Sequence, residues 1–418
     1  MNQYLPRHLD AEIASQLGWS AAVVIDGPKA VGKTETATRL TNSQVFLDTD
    51  LASRGLALAD PVLVLGGAAP RLFDEWQTVP NLWNAVRHEV DRRKKPGQFV
   101  LAGSSSPSDD QTRHTGTGRF SWLRMQPLTL IETGHSIGEV SLRQLLRGEG
   151  VNVSDPGLRF DELIERMISG GWPMSQGFPL KESTKYAKNY LDQTAKVDVS
   201  TLDGPKYDSV KVSRLLRSLA RNAATEVSVR TLATDAGGAD GPLHADTTSR
   251  YLEALQRIFI VELQEAWGPR IRTRTPLRES PKRHLTDSSL TLAALRIGSP
   301  DRLFAEPETL GLIFESFVVQ QLRAYAPFVD AEVMHYRDKS GLECDAIVQN
   351  GDGDWIAIEI KLGSGLIDRA VPNLKKLRDV VDQKASGEMR AMVVVVPTGP
   401  SYLRPDGVQV VALSSLGL

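Results

Sequence analysis

Short apolar runs alternate with helical stretches over residues 20–130, the pattern of a parallel sheet covered by helices. AAVVID (21–26) predicts a buried strand, and Lys33–Leu40 predicts a helix start. QVFLD (44–48), PRLFDE (70–75) and QFVLAGSS (98–105) predict further strands, with an amphipathic helix over Pro80–Arg93. LRMQPLTL (123–130) reads as a fifth strand. Residues 136–200 read mostly as helix: LRQLLRGEG (142–150) and DELIERMIS (161–169) repeat apolar positions at three and four, until Gly170, Gly171 and Pro173 break the pattern. Val212–Asn222 predicts a helix, Glu226–Thr234 a short strand and helix, and Thr247–Ile258 a longer helix. The strand-like IFIVELQEAW (258–267) follows, which is the element order of a winged helix. Beyond residue 300 come a helix over Leu310–Tyr325 and the strands EVMHYRD (332–338), ECDAIVQ (343–349) and DWIAIEIKLG (354–363). GDG (351–353) makes the turn between the last two. A helix near Asp368–Lys384 and the strands MRAMVVVVP (389–397) and VQVVAL (408–413) complete an α/β unit.

Onto this pattern falls GPKAVGKT (27–34), directly after a strand and opening a helix. Gly27 and Gly32 let backbone N–H groups curl around phosphates, with Pro28, Lys29, Ala30 and Val31 completing the loop. Lys33 supplies charge to the β and γ oxygens, the helix N-terminus adds its dipole, and Thr34 offers a hydroxyl to Mg²⁺. The plainer reading is a glycine loop that matches by chance, and the flanking strand and helix speak against it. ATP is the expected ligand.

Hydrolysis needs a carboxylate for the metal and a base for water. Asp74 and Glu75 stand at a strand end, where Asp74 can reach Mg²⁺ and Glu75 can act as base; an acidic helix cap is the bland alternative. The next strand ends at Ser104–Ser105–Ser106, from which Ser104 is expected to sense the γ-phosphate unless the segment is an ordinary polar turn. Arg119 is a candidate to stabilise transferred charge, in its own subunit or across an interface, or else a surface arginine.

A second constellation joins Glu315, Asp345, Glu359 and Lys361. Residues 359 and 361 are two apart on one strand and share a face, and Asp345 on the preceding strand can approach them. Three acids would hold Mg²⁺, or Mn²⁺, with Asp345 and Glu359 as ligands, and the lysine would orient water for phosphodiester attack. An edge strand with solvated charges is the alternative. Alternation with Ile358, Ile360 and Leu362 argues for a half-buried strand instead.

Composition narrows the setting. With 41% hydrophobic and 24% charged residues over 418 positions, the chain reads as a globular protein of two or three domains. No run approaches the ~20 apolar residues of a membrane span, and the N-terminus carries no secretory pattern. One cysteine, Cys344, leaves no internal disulfide and no cysteine-based zinc site. A cytoplasmic protein with no membrane partner is expected. The net charge of −2 is not that of a polycation, so DNA contact would need a local patch. Arg270, Arg272, Arg274, Arg278, Lys282 and Arg283 form such a run, or a solvated loop.

GPKAVGKT, LFDEWQTVP and FVLAGSSSP together resemble the AAA+-like ATPases of bacteria and archaea that carry a C-terminal domain of unknown function. KRHLTDSSL, GLIFESFVV, YRDKSGLECDAIV and IAIEIKLG resemble that C-terminal domain, which is similar to PD-(D/E)xK nucleases. The resemblance runs from about residue 20 to 415, and its middle is matched mainly by pattern. It implies an α/β fold class with a P-loop NTPase (AAA+-like) core over residues 1–135, a helical lid or linker over 136–204, a winged-helix-like domain over 205–285 and a nuclease-like domain over 286–418. It also implies that Lys33 and Thr34 bind nucleotide and Mg²⁺, that Asp74 and Glu75 serve hydrolysis, that Ser104 is a sensor and Arg119 an arginine finger, and that Glu315, Asp345, Glu359 and Lys361 form the nuclease-like centre. Glu35 departs from the pattern, standing where a second hydroxyl is common, and its charge is expected to weaken phosphate affinity somewhat. The expected function is ATP hydrolysis coupled to action on DNA, with homo-oligomerisation open. A non-cleaving, ATP-controlled scaffold is the alternative, and a small-molecule kinase leaves the later domains unexplained.

Overall fold

The computed structural model describes residues 4–105, 117–202, 207–268, 280–381 and 387–418. The first unit contains α1 (His8–Leu17), β1 (Ala22–Asp26), α2 (Lys33–Arg39), β2 (Ser43–Phe46), α3 (Leu51–Ala59), β3 (Arg71–Asp74), α4 (Leu82–Arg93), β4 (Phe99–Gly103) and β5 (Phe120–Arg124). Its strands are parallel in the order β2-β3-β4-β1-β5. β4 is buried along its whole length because both sheet faces are covered, which is why it reads as a continuous apolar run. Val23, Ile25, Val100 and Ala102 pack to one side against Leu9, Ile13 and Trp172. Val24, Phe73, Phe99 and Leu101 pack to the other, against Trp76, Trp83 and Val86. The fifth strand lies three residues earlier than the 123–130 run suggests. Pro127 has no N–H to give a ladder, so pairing with β1 ends at Arg124.

The chain continues through β6 (Val140–Ser141), α5 (Leu142–Leu146), β7 (Asn152–Val153), α6 (Phe160–Ser169) and α7 (Leu180–Gln193). α8 (Ser209–Arg221), α9 (Val229–Gly237) and α10 (Ala245–Arg257) follow, then the antiparallel pair β8 (Val261–Gln264) and β9 (Lys282–Leu285), and α11 (Ser288–Leu295). Side-chain caps fix three helix starts: Asp208 on α8, Ser228 on α9 and Asp287 on α11. Asp287 does more than cap. Fully buried, it accepts from the backbone of Gly171 at 2.9 Å and from Gln320 Nε2 at 3.0 Å, so one carboxylate joins three segments.

The last unit holds α12 (Pro300–Phe304), α13 (Pro307–Tyr325), β10 (Ala331–Arg337), β11 (Glu343–Asn350), β12 (Trp355–Ile360), α14 (Ile367–Val380), β13 (Met389–Val396), β14 (Ser401–Leu403), β15 (Val408–Ala412) and β16 (Leu416–Gly417). Its sheet runs β10-β11-β12-β13-β15-β14-β7. β10, β11 and β12 are antiparallel neighbours, whereas β12, β13 and β15 are parallel. α13 covers one face through Phe314 and Val318, and α14 covers the other through Leu374 and Leu377. The segment read from sequence as lid or linker is partly built into this unit: β7 pairs with β14 and β6 with β16. Val140, Leu142, Leu145 and Val151 need apolar cover, and the C-terminal core supplies it. Among the described residues no helix is long and apolar enough to cross a membrane.

Candidate functional site

The loop Gly27–Thr34 turns tightly between β1 and α2. Gly27 has φ 146°, and a Cβ there would lie 2.4 Å from the Met125 carbonyl oxygen. Gly32, capping α2, has φ 100°, a backbone state that L side chains resist. The Lys33 ammonium is buried and donates to the carbonyls of Gly27 (2.8 Å) and Pro28 (2.7 Å). Burial pulls its pKa down to about 8, against the opposing charges of Glu75, Asp74 and Asp26. Lys29 is tied down from α7's side, its ammonium 2.6 Å from Asp198 and its carbonyl accepting from the Tyr190 hydroxyl at 3.1 Å.

Strand order decides which acids meet this loop. β4 separates β1 from β3, and the Thr34 hydroxyl reaches across to donate to Asp74 Oδ2 at 2.9 Å. Burial first, then the charges of Glu75 and Asp48, push the Asp74 pKa up to about 6, with the Thr34 bond acting in the other direction. Glu75 leaves the strand in the left-handed region, at φ 51°. Its carboxylate accepts from Ser104 Oγ at 2.9 Å and, in a shorter contact, from Gln77 Nε2. Ser104 therefore touches the acid rather than facing the loop directly, while Ser106 lies outside the described residues. The donor set fits a magnesium–nucleotide complex. Loop N–H groups and Lys33 suit phosphate, and Thr34 with Asp74 supplies hard oxygens for the metal.

Arg119 sits elsewhere. It precedes β5 at the sheet edge opposite the loop, because Phe120 pairs with Ala22 at the start of β1. Its guanidinium binds Asp91 at 2.7 Å on the surface, away from its own loop. The arginine at the loop end of β5 is Arg124, bound to Asp26 and lying 4.1 Å over the Phe259 ring. Sequence reasoning missed it because the fifth strand was placed too late. Arg7 was missed as well, and no local motif marks it. Buried against Glu132 at 2.9 Å, it donates to the Val31 carbonyl at 2.8 Å and the Gln126 carbonyl at 2.7 Å, bracing the phosphate loop from outside. Glu35 points to solvent and pairs with Arg39 at 2.8 Å, away from the loop's interior.

The second constellation is also brought together, by β11, β12 and α13. Lys361 Nζ lies 2.6 Å from Glu359 and 3.1 Å from Asp345, which further accepts from the Ile360 N–H at 2.7 Å. Glu315 is bound at 2.6 Å by Lys282 from β9. Burial and then the Asp345 charge push the Glu315 and Glu359 carboxyls up. Burial pulls the two lysines down, but the surrounding carboxylates outweigh it and hold both above the ordinary lysine value. This arrangement lends no support to the expected Mg²⁺ or Mn²⁺ centre. Among the described residues no group of three or more His, Cys, Asp or Glu side chains is arranged to hold a metal ion. Here ammonium groups lie where the acids converge, so the donors do not fit a free cation. Two members of the basic run can be placed. Lys282 and Arg283 are buried, Arg283 donating to the Val227 carbonyl at 2.6 Å, while Arg270, Arg272, Arg274 and Arg278 lie outside the described residues. Lys282 escaped notice as part of the centre because it closes a charge run that masks the start of a strand.

Three segments match protein-family models: residues 20–134 an AAA domain, residues 160–301 a domain of unknown function (DUF8612), and residues 310–416 another (DUF4143). The uncharacterized protein Rv2008c of Mycobacterium tuberculosis is 27% identical over 350 residues, spanning 82% of this chain and 71% of that protein. The uncharacterized protein Mb2031c of Mycobacterium bovis gives the same figures, 27% over 350 residues. Among solved structures, the Walker-type ATPase PABY2304 of Pyrococcus abyssi aligns at 11% identity and a TM-score of 0.44, over 70% of this chain and 96% of that one. A STAND protein with a tetratricopeptide repeat sensor, PH0952 from Pyrococcus horikoshii, aligns at 10% identity and a TM-score of 0.22, over 79% and 50%.

Proposed function

We propose that this chain, whose N-terminal unit is an AAA-like P-loop ATPase domain, hydrolyses ATP to control a DNA-directed, nuclease-like C-terminal unit. The single observation behind the hydrolytic part is the pairing of Thr34 with Asp74 beside the pairing of Ser104 with Glu75. The loop N–H groups and Lys33 bind the phosphates, the lysine exchanging its two carbonyl partners for phosphate oxygens. Thr34 and Asp74 would hold Mg²⁺, whose charge would offset that of the phosphates. Glu75 orients water and takes its proton, and Ser104 and Gln77 fix the direction of that carboxylate. Glu75→Gln should still bind ATP while releasing phosphate at a small fraction of the wild-type rate. Undiminished release would overturn the assignment of the base.

The DNA-directed part has two supports. The order α8-α9-α10-β8-β9, with Thr225 bridging to Arg283, is the order of a winged helix. The C-terminal unit runs α13-β10-β11-β12-α14-β13 and carries Glu359 and Lys361 at the end of β12, as in the nuclease-like pattern. A path between the units exists as well: Glu262 of the hairpin accepts from Gln126, next to β5, at 2.9 Å and from Arg323 of α13 at 2.9 Å. Cleavage of supercoiled, linear and branched DNA with Mg²⁺ or Mn²⁺, with and without ATP, tests this reading, and Lys361→Ala should lose it. The second reading, a switch that binds without cutting, is favoured by the lysine-held acids; intact ATP turnover with no cleavage on any substrate would select it. Arg119, exposed at the sheet edge, would then matter only if copies assemble and present it to a neighbour's loop, which sedimentation with and without ATP would reveal.

A further inference from the structure

We infer that Lys282, delivered by the β8–β9 hairpin, is the built-in cation of the C-terminal acid cluster and closes that cluster to divalent ions. The inference deepens the nuclease-like reading above and rests on it. Lys282 comes from the helix–hairpin unit and not from the sheet that carries Asp345 and Glu359. Its ammonium is nevertheless buried and 2.6 Å from Glu315, the acid that α13 contributes. The other strand of the hairpin is latched to the same place: Gln264 Nε2 donates to the Asp345 carbonyl at 3.0 Å and to the Met334 carbonyl at 2.9 Å. His284, two residues beyond Lys282 and so on the same face of β9, bonds Ser316 at 2.9 Å, next to Glu315. The hairpin thus covers the cluster with hydrogen bonds from both strands.

Charge explains why a metal and this lysine compete. Glu315, Asp345 and Glu359 bring at most three negative charges, and Lys282 and Lys361 return two positive ones. A dication added to that set would give a net positive buried cluster, with each ammonium pressed against it. Without the Lys282 ammonium, the same addition would leave the three acids, Lys361 and the dication balanced.

The test is Mn²⁺ binding to the nucleotide-free full chain, followed by calorimetry and by electron paramagnetic resonance of free Mn²⁺. Wild type and Lys282→Arg should bind weakly at this centre, and Lys282→Met should gain at least about tenfold in affinity. Adding Asp345→Asn to Lys282→Met should remove that gain, which assigns it to the cluster. Cooperative melting of each variant verifies the fold. Wild-type binding as tight as that of Lys282→Met, or no gain in a folded Lys282→Met, overturns the inference. Neither result depends on cleavage: no gain in Lys282→Met with cleavage intact leaves the nuclease reading standing, and the gain without cleavage leaves an acid cluster that Lys282 closes to metal.

Discussion

The two acid sites of this molecule are built on opposite principles. At the phosphate loop, Asp74 and Glu75 are held by neutral donors, the hydroxyls of Thr34 and Ser104 and the amide of Gln77, while the nearby Lys33 ammonium rests on backbone carbonyls. In the C-terminal unit, Glu315, Asp345 and Glu359 are held by the ammonium groups of Lys282 and Lys361. Neutral donors orient a carboxylate without cancelling its charge, so the first site keeps its attraction for a metal–phosphate complex. Ammonium partners orient and cancel together, so the second site keeps at most one unbalanced negative charge as folded. The same residue types therefore give a receptive site in one place and a closed one in the other.

The strongest way to break this comparison is Lys33→Ala, which should lower steady-state phosphate release about a thousandfold, as loss of a dedicated charge donor does. Residual turnover near the wild-type rate would mean that the loop is not the hydrolytic site. Next in size, Glu315→Ala strands the Lys282 ammonium in a buried place and should cost about 3 kcal/mol in urea denaturation. Lys282→Met should cost less, because the abandoned Glu315, already pushed up by burial and by Asp345, escapes by taking a proton. Equal costs for the two would argue that the pair contributes little. Ser104→Ala should reduce kcat about tenfold with KM for ATP nearly unchanged, since it frees Glu75 without touching the nucleotide contacts.

Finer still is pH. Asp74 must be ionised to accept metal, and its pKa lies near 6, so kcat/KM for ATP should fall as pH drops through about 6. Lys33 must be charged to attract phosphate, and its pKa lies near 8, so kcat/KM should fall again as pH rises through about 8. Both limbs belong to the free enzyme, and phosphate binding should move the basic limb upward in kcat. A flat profile across this range would detach both groups from catalysis. The smallest effect should come from Glu35→Ser. Because Glu35 pairs with Arg39 in solvent, restoring a hydroxyl there should change ATP affinity less than about twofold.

Much of the first sheet was legible because buried parallel strands leave continuous apolar runs, as AAVVID and QFVLAG do. The expected AAA-like domain agrees with the family match over residues 20–134. α1 and α3 left no comparable signal, and the fifth strand was placed late because Leu128 and Leu130 continue the apolar pattern past Pro127. Glu359 and Lys361 could be put on one face from spacing alone, and the structure brings Asp345 to them through the β11–β12 pairing.

What the sequence by itself determined are the local matters: where strands and helices form, where the phosphate loop turns, and which side chains share a strand face. These depend on periodicity and on glycine, and a chain carries both in its own order. Tertiary structure alone decided who meets whom across the fold. It put Arg7 behind the phosphate loop, Arg124 rather than Arg119 at the loop end of β5, and β6 and β7 in the C-terminal unit. It also turned Lys282 from a member of a basic run into the partner of Glu315, 33 positions away along the chain. The reason is physical: a charge acts through distance and burial, and neither is fixed until the chain has packed.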